Sequence, residues 1–195
     1  MIARRPFYAA CLALLFLAAC DTPPDRQTFP QITFQHLSPI GLDVARIEIE
    51  SAYRAADHPD DNAAEYPAPP ETLAANWARD RLKAAGTRGQ ATYTVIEARA
   101  VRVPLPRSSG IDAALKTEQS DRYDLSITVK LEAGNPISGK SGAVTETVTR
   151  SQTVPENMTL NQREVVLFNM LDAAMKDLNA RLEASIPQYL GPLVR

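Results

Sequence analysis

Arg122-Tyr123-Asp124-Leu125-Ser126-Ile127-Thr128-Val129-Lys130-Leu131-Glu132-Ala133 is the stretch on which the fold turns. Read in steps of two, it places Tyr123, Leu125, Ile127, Val129 and Leu131 on one side. Arg122, Asp124, Ser126, Thr128, Lys130 and Glu132 fall on the other. A period of two is that of a β-strand with one face buried and one face wet. Antiparallel sheets commonly leave one face in water, so the stretch predicts a half-buried antiparallel strand.

The neighbouring segments extend this sheet. Gly134-Asn135-Pro136 through Gly142 reads as a turn region, and Ala143–Val154 as a second strand. That strand is rich in Thr and Val and less apolar, as suits a sheet edge, where polar side chains discourage unwanted pairing. Upstream, 91–103 is rich in β-branched residues but changes phase: Tyr93 and Val95 share one face, Ile96, Ala98 and Ala100 the other, and Val101 and Val103 return to the first. A bulge accounts for this, and so does burial on both faces. A further strand is expected over Val44–Tyr53, with Ala45, Ile47, Ile49, Ser51 and Tyr53 on one face and Arg46, Glu48 and Glu50 on the other.

Two helices complete the pattern. One starts near Glu71 behind Pro69-Pro70 and is expected to end at Gly86, a natural C-cap. Its apolar stripe is Leu73, Trp77, Ala78, Leu82 and Ala85. Arg81 falls on the same side, where a long stem can lie over the core with its head in water. The second is expected over Leu160–Ser185, opened by a Thr159–Gln162 capping box and stopped by Pro187. Phe168, Leu171, Met175, Leu178 and Leu182 recur along it at spacings of three and four, and Val165, Val166, Leu167 and Met170 widen the stripe. The tail Tyr189–Val194 is apolar enough to dock. Between the first strand and the first helix, residues 54–70 are acidic and proline-rich and read as a long loop.

The element order is β-α-β-β-β-α. Two one-sided helices can cover one face of a single sheet. The expected fold class is therefore α+β, a two-layer α/β sandwich with a mostly antiparallel sheet and both helices on one face. The chain has 195 residues with 45% hydrophobic and 23% charged, enough for one well-filled core.

The N-terminus reads as an address. Arg4 and Arg5 precede the apolar run Phe7–Ala19, which is too short to span a bilayer and has the proportions of a signal peptide. It ends in Leu17-Ala18-Ala19-Cys20, which resembles a bacterial lipobox. The resemblance implies cleavage between Ala19 and Cys20 and acylation of Cys20, so that the partner at this end is a membrane. More than one acyl chain makes such attachment lasting. The organisation expected is a cleaved lipoprotein signal peptide over 1–19, lipidated Cys20 and a tether over 20–41, and a single α/β domain over 42–195. The anchor is expected to face the periplasm; Asp21 resembles the inner-membrane retention signal of enteric lipoproteins and so favours the inner membrane, while the choice of outer or inner membrane stays open. The mature chain would lose Arg4, Arg5 and Cys11, leaving a net charge of −4 and Cys20 as its one cysteine. Thiol catalysis and disulfide exchange are then excluded.

Lipid anchor, short tether and element order together resemble small envelope lipoproteins. The lipopolysaccharide-assembly lipoproteins share the order over roughly 42–186, as do the auxiliary lipoproteins of ABC-type envelope lipid transporters. The run Pro69-Pro70…Trp77-Ala78…Arg81-Leu82…Gly86 is similar to that of uncharacterised alphaproteobacterial lipoproteins. These likenesses imply an envelope protein complex as partner and carry no site residue.

Chemistry is sparse. A net charge of −2, a pI near 5.7 and 6% aromatics argue against nucleic acid as a partner. His58, in Asp57-His58-Pro59-Asp60-Asp61 with Glu65 nearby, could contribute to a metal site; a Pro- and Ala-flanked loop gives ligands little fixed geometry, so no metal and no cofactor are expected. His36 stands alone, Ser108-Ser109-Gly110 lacks a nucleophile-elbow setting, and no phosphate loop is present. Candidate partner-surface residues are Arg81, Phe168 and Met170. The expectation is a non-enzymatic adaptor or assembly factor for envelope biogenesis or transport. The alternatives are a carrier of a lipid-like ligand between sheet and helices, and a periplasmic hydrolase with a site no motif marks.

Overall fold

The computed structural model describes residues 27–106 and 119–195. The signal-peptide segment, Ala19, Cys20, Asp21 and Ser108-Ser109-Gly110 lie outside the described residues.

Among the described residues, six strands and two α-helices follow one another as β1 (Ile40–Leu42), β2 (Arg46–Ser51), α1 (Pro70–Arg81), β3 (Leu82–Ala84), β4 (Gln90–Pro104), β5 (Gln119–Asn135), β6 (Lys140–Pro155) and α2 (Leu160–Leu190). The main sheet has the order β2-β4-β5-β6, with β2 parallel to β4 and the rest antiparallel. β5 is central to the meander, and its alternation holds along its length: Tyr123, Leu125, Ile127, Val129 and Leu131 are buried against the helices. β6 is an edge strand, as its composition implies, and β2 is the other. The fold is α+β, with both helices over one face of this sheet and the other face polar.

The phase change in β4 is a bulge. The register with β5 shifts between Val95 and Glu97, so Ile96 is the extra residue and stands 41% exposed. Tyr93 and Val95 before the bulge, and Ala98 and Ala100 after it, therefore point into the same core. A residue inserted on one strand turns the following side chains back to the original face.

α1 ends at Arg81 and not at Gly86. Leu82 is already extended (φ −95, ψ 135), because β3 pairs in parallel with β1: Ile40 with Leu82, Gly41 with Lys83 and Leu42 with Ala84. Lys83, Ala84 and Ala85 are good helix formers, but this pairing overrides their propensity. Gly86 instead permits a close approach, since a Cβ there would lie 2.6 Å from the Asp43 backbone.

α2 also departs from expectation, running through Pro187 to Leu190. An interior proline costs a helix about 3 kcal/mol. Ile186, Leu190 and Leu193 are buried at 0–1% exposure, and burying side chains of this kind gains about 1.5–3 kcal/mol each. The tail docks: Asp43 N–H donates to the Leu193 carbonyl at 2.7 Å and Leu42 bridges Val194. The Thr159–Gln162 capping box is complete, with side chain and backbone bonded in both directions.

Ile127→Asp places a charge at a fully buried position and is expected to abolish the cooperative thermal transition. Thr128→Asp, one residue away on the wet face, is expected to change stability by less than about 1 kcal/mol. Melting curves of the two variants check the face assignment.

Candidate functional site

The segment before β1 lies along the helices. Phe34 is buried at 6% exposure. Phe29 stacks on Phe168 of α2, with ring centroids 4.9 Å apart. Asp80 of α1 fixes the strap between them: its carboxylate accepts from the Thr33 hydroxyl and the Phe34 N–H, each at 2.8 Å. Burial alone would raise the Asp80 carboxyl, but the Phe34 N–H, the Thr33 hydroxyl and the Gln35 side chain outweigh it and hold the group below its usual range. Beside this strap runs a cleft of about 610 Å³. Phe29, Ile32, Ala68, Leu73 and Phe168 supply its apolar wall, and Asn76 and Arg79 its polar rim.

Beneath the strap is a polar knot. Trp77 Nε1–H donates to Asn179 Oδ1 at 2.9 Å, and Arg81 Nε donates to the same oxygen at 3.2 Å. Arg81 also donates to the Ser38 carbonyl and to the Glu183 carboxylate. One guanidinium thus joins α1, α2 and the segment leading to β1. Its side chain is 4% exposed, so its head is not in water, and its stem does more than cover the core. Met170 is likewise enclosed at 7%. Of the three candidate surface residues, Phe168 alone keeps an accessible edge, and Phe29 covers part of it.

The acidic loop is pinned to the sheet. Asp60 pairs with Arg99, and Asp61 accepts from the Tyr53 hydroxyl and the Ala63 N–H. Glu65 accepts from the Tyr123 hydroxyl at 2.6 Å. His58 stacks on Tyr53 with centroids 5.0 Å apart. Asp60 and Glu65 are thus engaged by Arg99 and Tyr123, while His58 and Asp61 share Tyr53; no group of three or more His, Cys, Asp or Glu gathers among the described residues. His36 is exposed on the strap. At the far end of the sheet Asp121 is 5% exposed; the Arg102 guanidinium, 2.9 Å away, holds its carboxyl below the usual range against burial, with help from Ser120.

Sequence reasoning missed Asn179 and the strap. Asn179 sits one turn from Met175 on the apolar stripe, and a polar residue at such a position was the signal. The interval between sheet and helices, where a carried lipid would lie, is filled by Trp77, Tyr93, Leu131, Leu171, Met175 and Leu178, all fully buried.

No protein-family model matches the chain, and neither does any curated protein. Solved structures give faint likenesses. A minor lipoprotein from Acinetobacter baumannii is 16% identical, with 74% of this chain and 92% of that one covered and a TM-score of 0.36. The rare lipoprotein B from Shewanella oneidensis is 12% identical, covering 73% and 98%, with a TM-score of 0.35. An uncharacterized lipoprotein B from Nitrosomonas europaea is 11% identical, covering 78% and 87%, also at 0.35. All three are lipoproteins by name, and likeness at this level carries neither an activity nor a partner to this chain.

Arg81→Ala removes the donor of the Ser38 carbonyl, leaves Asn179 Oδ1 with Trp77 alone and Glu183 without its cation, and is expected to cost about 2 kcal/mol or more in denaturant unfolding. Glu183→Gln, on a half-exposed partner, is expected to cost less than about 1 kcal/mol. Equal losses would contradict the knot. Because the folded Asp80 carboxyl lies below its unfolded value, its contribution is present at neutral pH and is lost as pH falls through that lowered value, below about 4. Exchange protection of the Phe34 amide, relative to its intrinsic rate, is expected to fall in the same range and to be lost in Asp80→Ala.

Proposed function

We propose that this chain is a lipid-anchored envelope lipoprotein facing the periplasm, and that it works by binding, as an adaptor or assembly factor in envelope biogenesis or transport. The observation that carries this reading is Leu17-Ala18-Ala19-Cys20 closing the apolar run Phe7–Ala19 behind Arg4 and Arg5. Charge, apolar length, small residues and cysteine all stand where lipoprotein export and acylation need them. Among the described residues no helix is long and apolar enough to cross a membrane, so the lipid is the anchor in this reading.

The docked strap adds to it. From Cys20 to Phe29 the chain can span at most about 30 Å, and Phe29 is held on Phe168. The domain is thereby kept near the bilayer, where tethering raises its effective concentration for a membrane partner. The carboxylates held below their usual range, Asp80, Asp121 and Asp124, are engaged with Phe34, Arg102 and Ser151 in holding the fold.

Cys20→Ala is expected to leave the domain folded and release it from membranes into the soluble fraction. Retention in the membrane after a high-salt wash would overturn the anchor. Crosslinking in intact cells is expected to capture one envelope complex with the wild-type chain and to lose it with Cys20→Ala; a background-level yield from the anchored protein would contradict the adaptor role.

A further inference from the structure

The two edges of the main sheet are built differently. β2 is six residues long, and its wet face is charged at each step, Arg46, Glu48 and Glu50. Short, charged edges resist pairing with another chain. β6 is sixteen residues long, an edge of about 50 Å. Among the described residues its far side pairs with no strand. Its wet face reads Ser141, Ala143, Thr145, Thr147, Thr149, Ser151 and Thr153, all exposed and none charged. No proline interrupts it before Pro155, and its register with β5 is unbroken from Asp121 onward. A long, regular edge without charges on its exposed face is a template for another strand, so the neutral Thr and Ser of β6, unlike the charges of β2, do not by themselves keep a partner strand away as the composition led one to expect.

The charges on β6 say which strand. Glu146 and Arg150 lie on the helix-side face, Glu146 accepting from Ser185 and Arg150 pairing with Asp177 of α2. A second copy of β6 running antiparallel about a two-fold axis at Val148 sets Glu146 opposite Arg150 of the second copy, and Arg150 opposite its Glu146. The same axis sets Lys140, at one end of the strand, opposite Glu156, just beyond the other. Every charged residue from 140 to 156 thus meets its opposite. Directly opposed side chains have Cβ atoms about 4.5–5.5 Å apart, within reach of an ion pair. Moving the axis to residue 146 or 150 sets like charges face to face. Moving it by one residue sets Glu146 against Val148 or Gln152. The flank of α2 above this edge is compatible with a neighbouring helix: Ala173, Ala180 and Ala184 share the stripe of Asp177.

From this we infer that β6 is a self-association edge, where two copies of the chain pair β6 to β6 antiparallel about Val148 into one continuous eight-stranded sheet. Thr147 of each copy then faces Thr149 of the other on the wet side. Opposed residues in an antiparallel pair have Cα atoms about 4.5–5.5 Å apart. The two Thr147 positions are offset along the strand by about 6.8 Å, which puts them about 8.5 Å apart and beyond the reach of a disulfide.

The test uses the full chain, with Thr147→Cys and Thr149→Cys variants differently tagged and produced in the same cells. Both sites are exposed, and each variant is expected to melt with the wild type. Oxidation is expected to give a crosslinked pair from the mixture at roughly tenfold or more the yield of either variant alone. Equal yields from single variants and mixture would overturn the register. Native mass spectrometry of the detergent-purified wild-type chain is expected to show a dimer. A monomer, or a different protein crosslinked at Thr147, would overturn the second copy as the occupant of this edge.

Discussion

One-sided burial of β5 governs the rest of the structure. Once Tyr123, Leu125, Ile127, Val129 and Leu131 face one way, the other strands must present their apolar residues to the same layer, because a side chain period of two leaves no freedom in register. β4 meets that demand only by inserting Ile96 as a bulge. The helices must then share a single face. α1 seats Trp77 against Tyr93, ring centroids 5.7 Å apart, with the Tyr93 hydroxyl donating to the Ala74 carbonyl. α2 lays Leu171, Met175, Leu178 and Leu182 beside it. The opposite face is left to Thr, Ser and charged pairs, and the sheet edges to their own composition.

Periodicity made the large elements readable. The β5 alternation, the edge character of β6 and the Thr159 capping box are local properties, decided by residues close in sequence. The departures are all long-range. Lys83-Ala84-Ala85 reads as helix, yet forms strand because β1, about forty residues away, offers a parallel partner. Pro187 reads as a stop, yet sits inside α2 because Ile186, Leu190 and Leu193 have a core to enter. Gly89, at φ 85, turns the chain into β4 with no room for a side chain beside Gly134; which neighbour would crowd it is set by the β4–β5 pairing.

The site was legible in fragments. Arg81 stands out in sequence because it lies on an apolar stripe, but its partners Asn179, Glu183 and Ser38 come from segments that only the fold unites. The strap was less legible still. Phe29, Thr33 and Phe34 sit in a polar, proline-containing stretch of the kind that often stays extended, and their docking depends on Asp80 and Phe168 being placed beside them. What results is a domain whose segment before β1, first helix and last helix are tied by one guanidinium.

The claim on which the functional reading rests is that this domain works at a membrane surface through a lipid on Cys20. The direct measurement is the intact mass of the wild-type protein extracted from membranes, with fragmentation of its N-terminal peptide. A chain that begins at Cys20 and carries glyceryl-linked and amide-linked acyl chains is the predicted result. A chain that begins at Met1, or one with an unmodified Cys20, would contradict it.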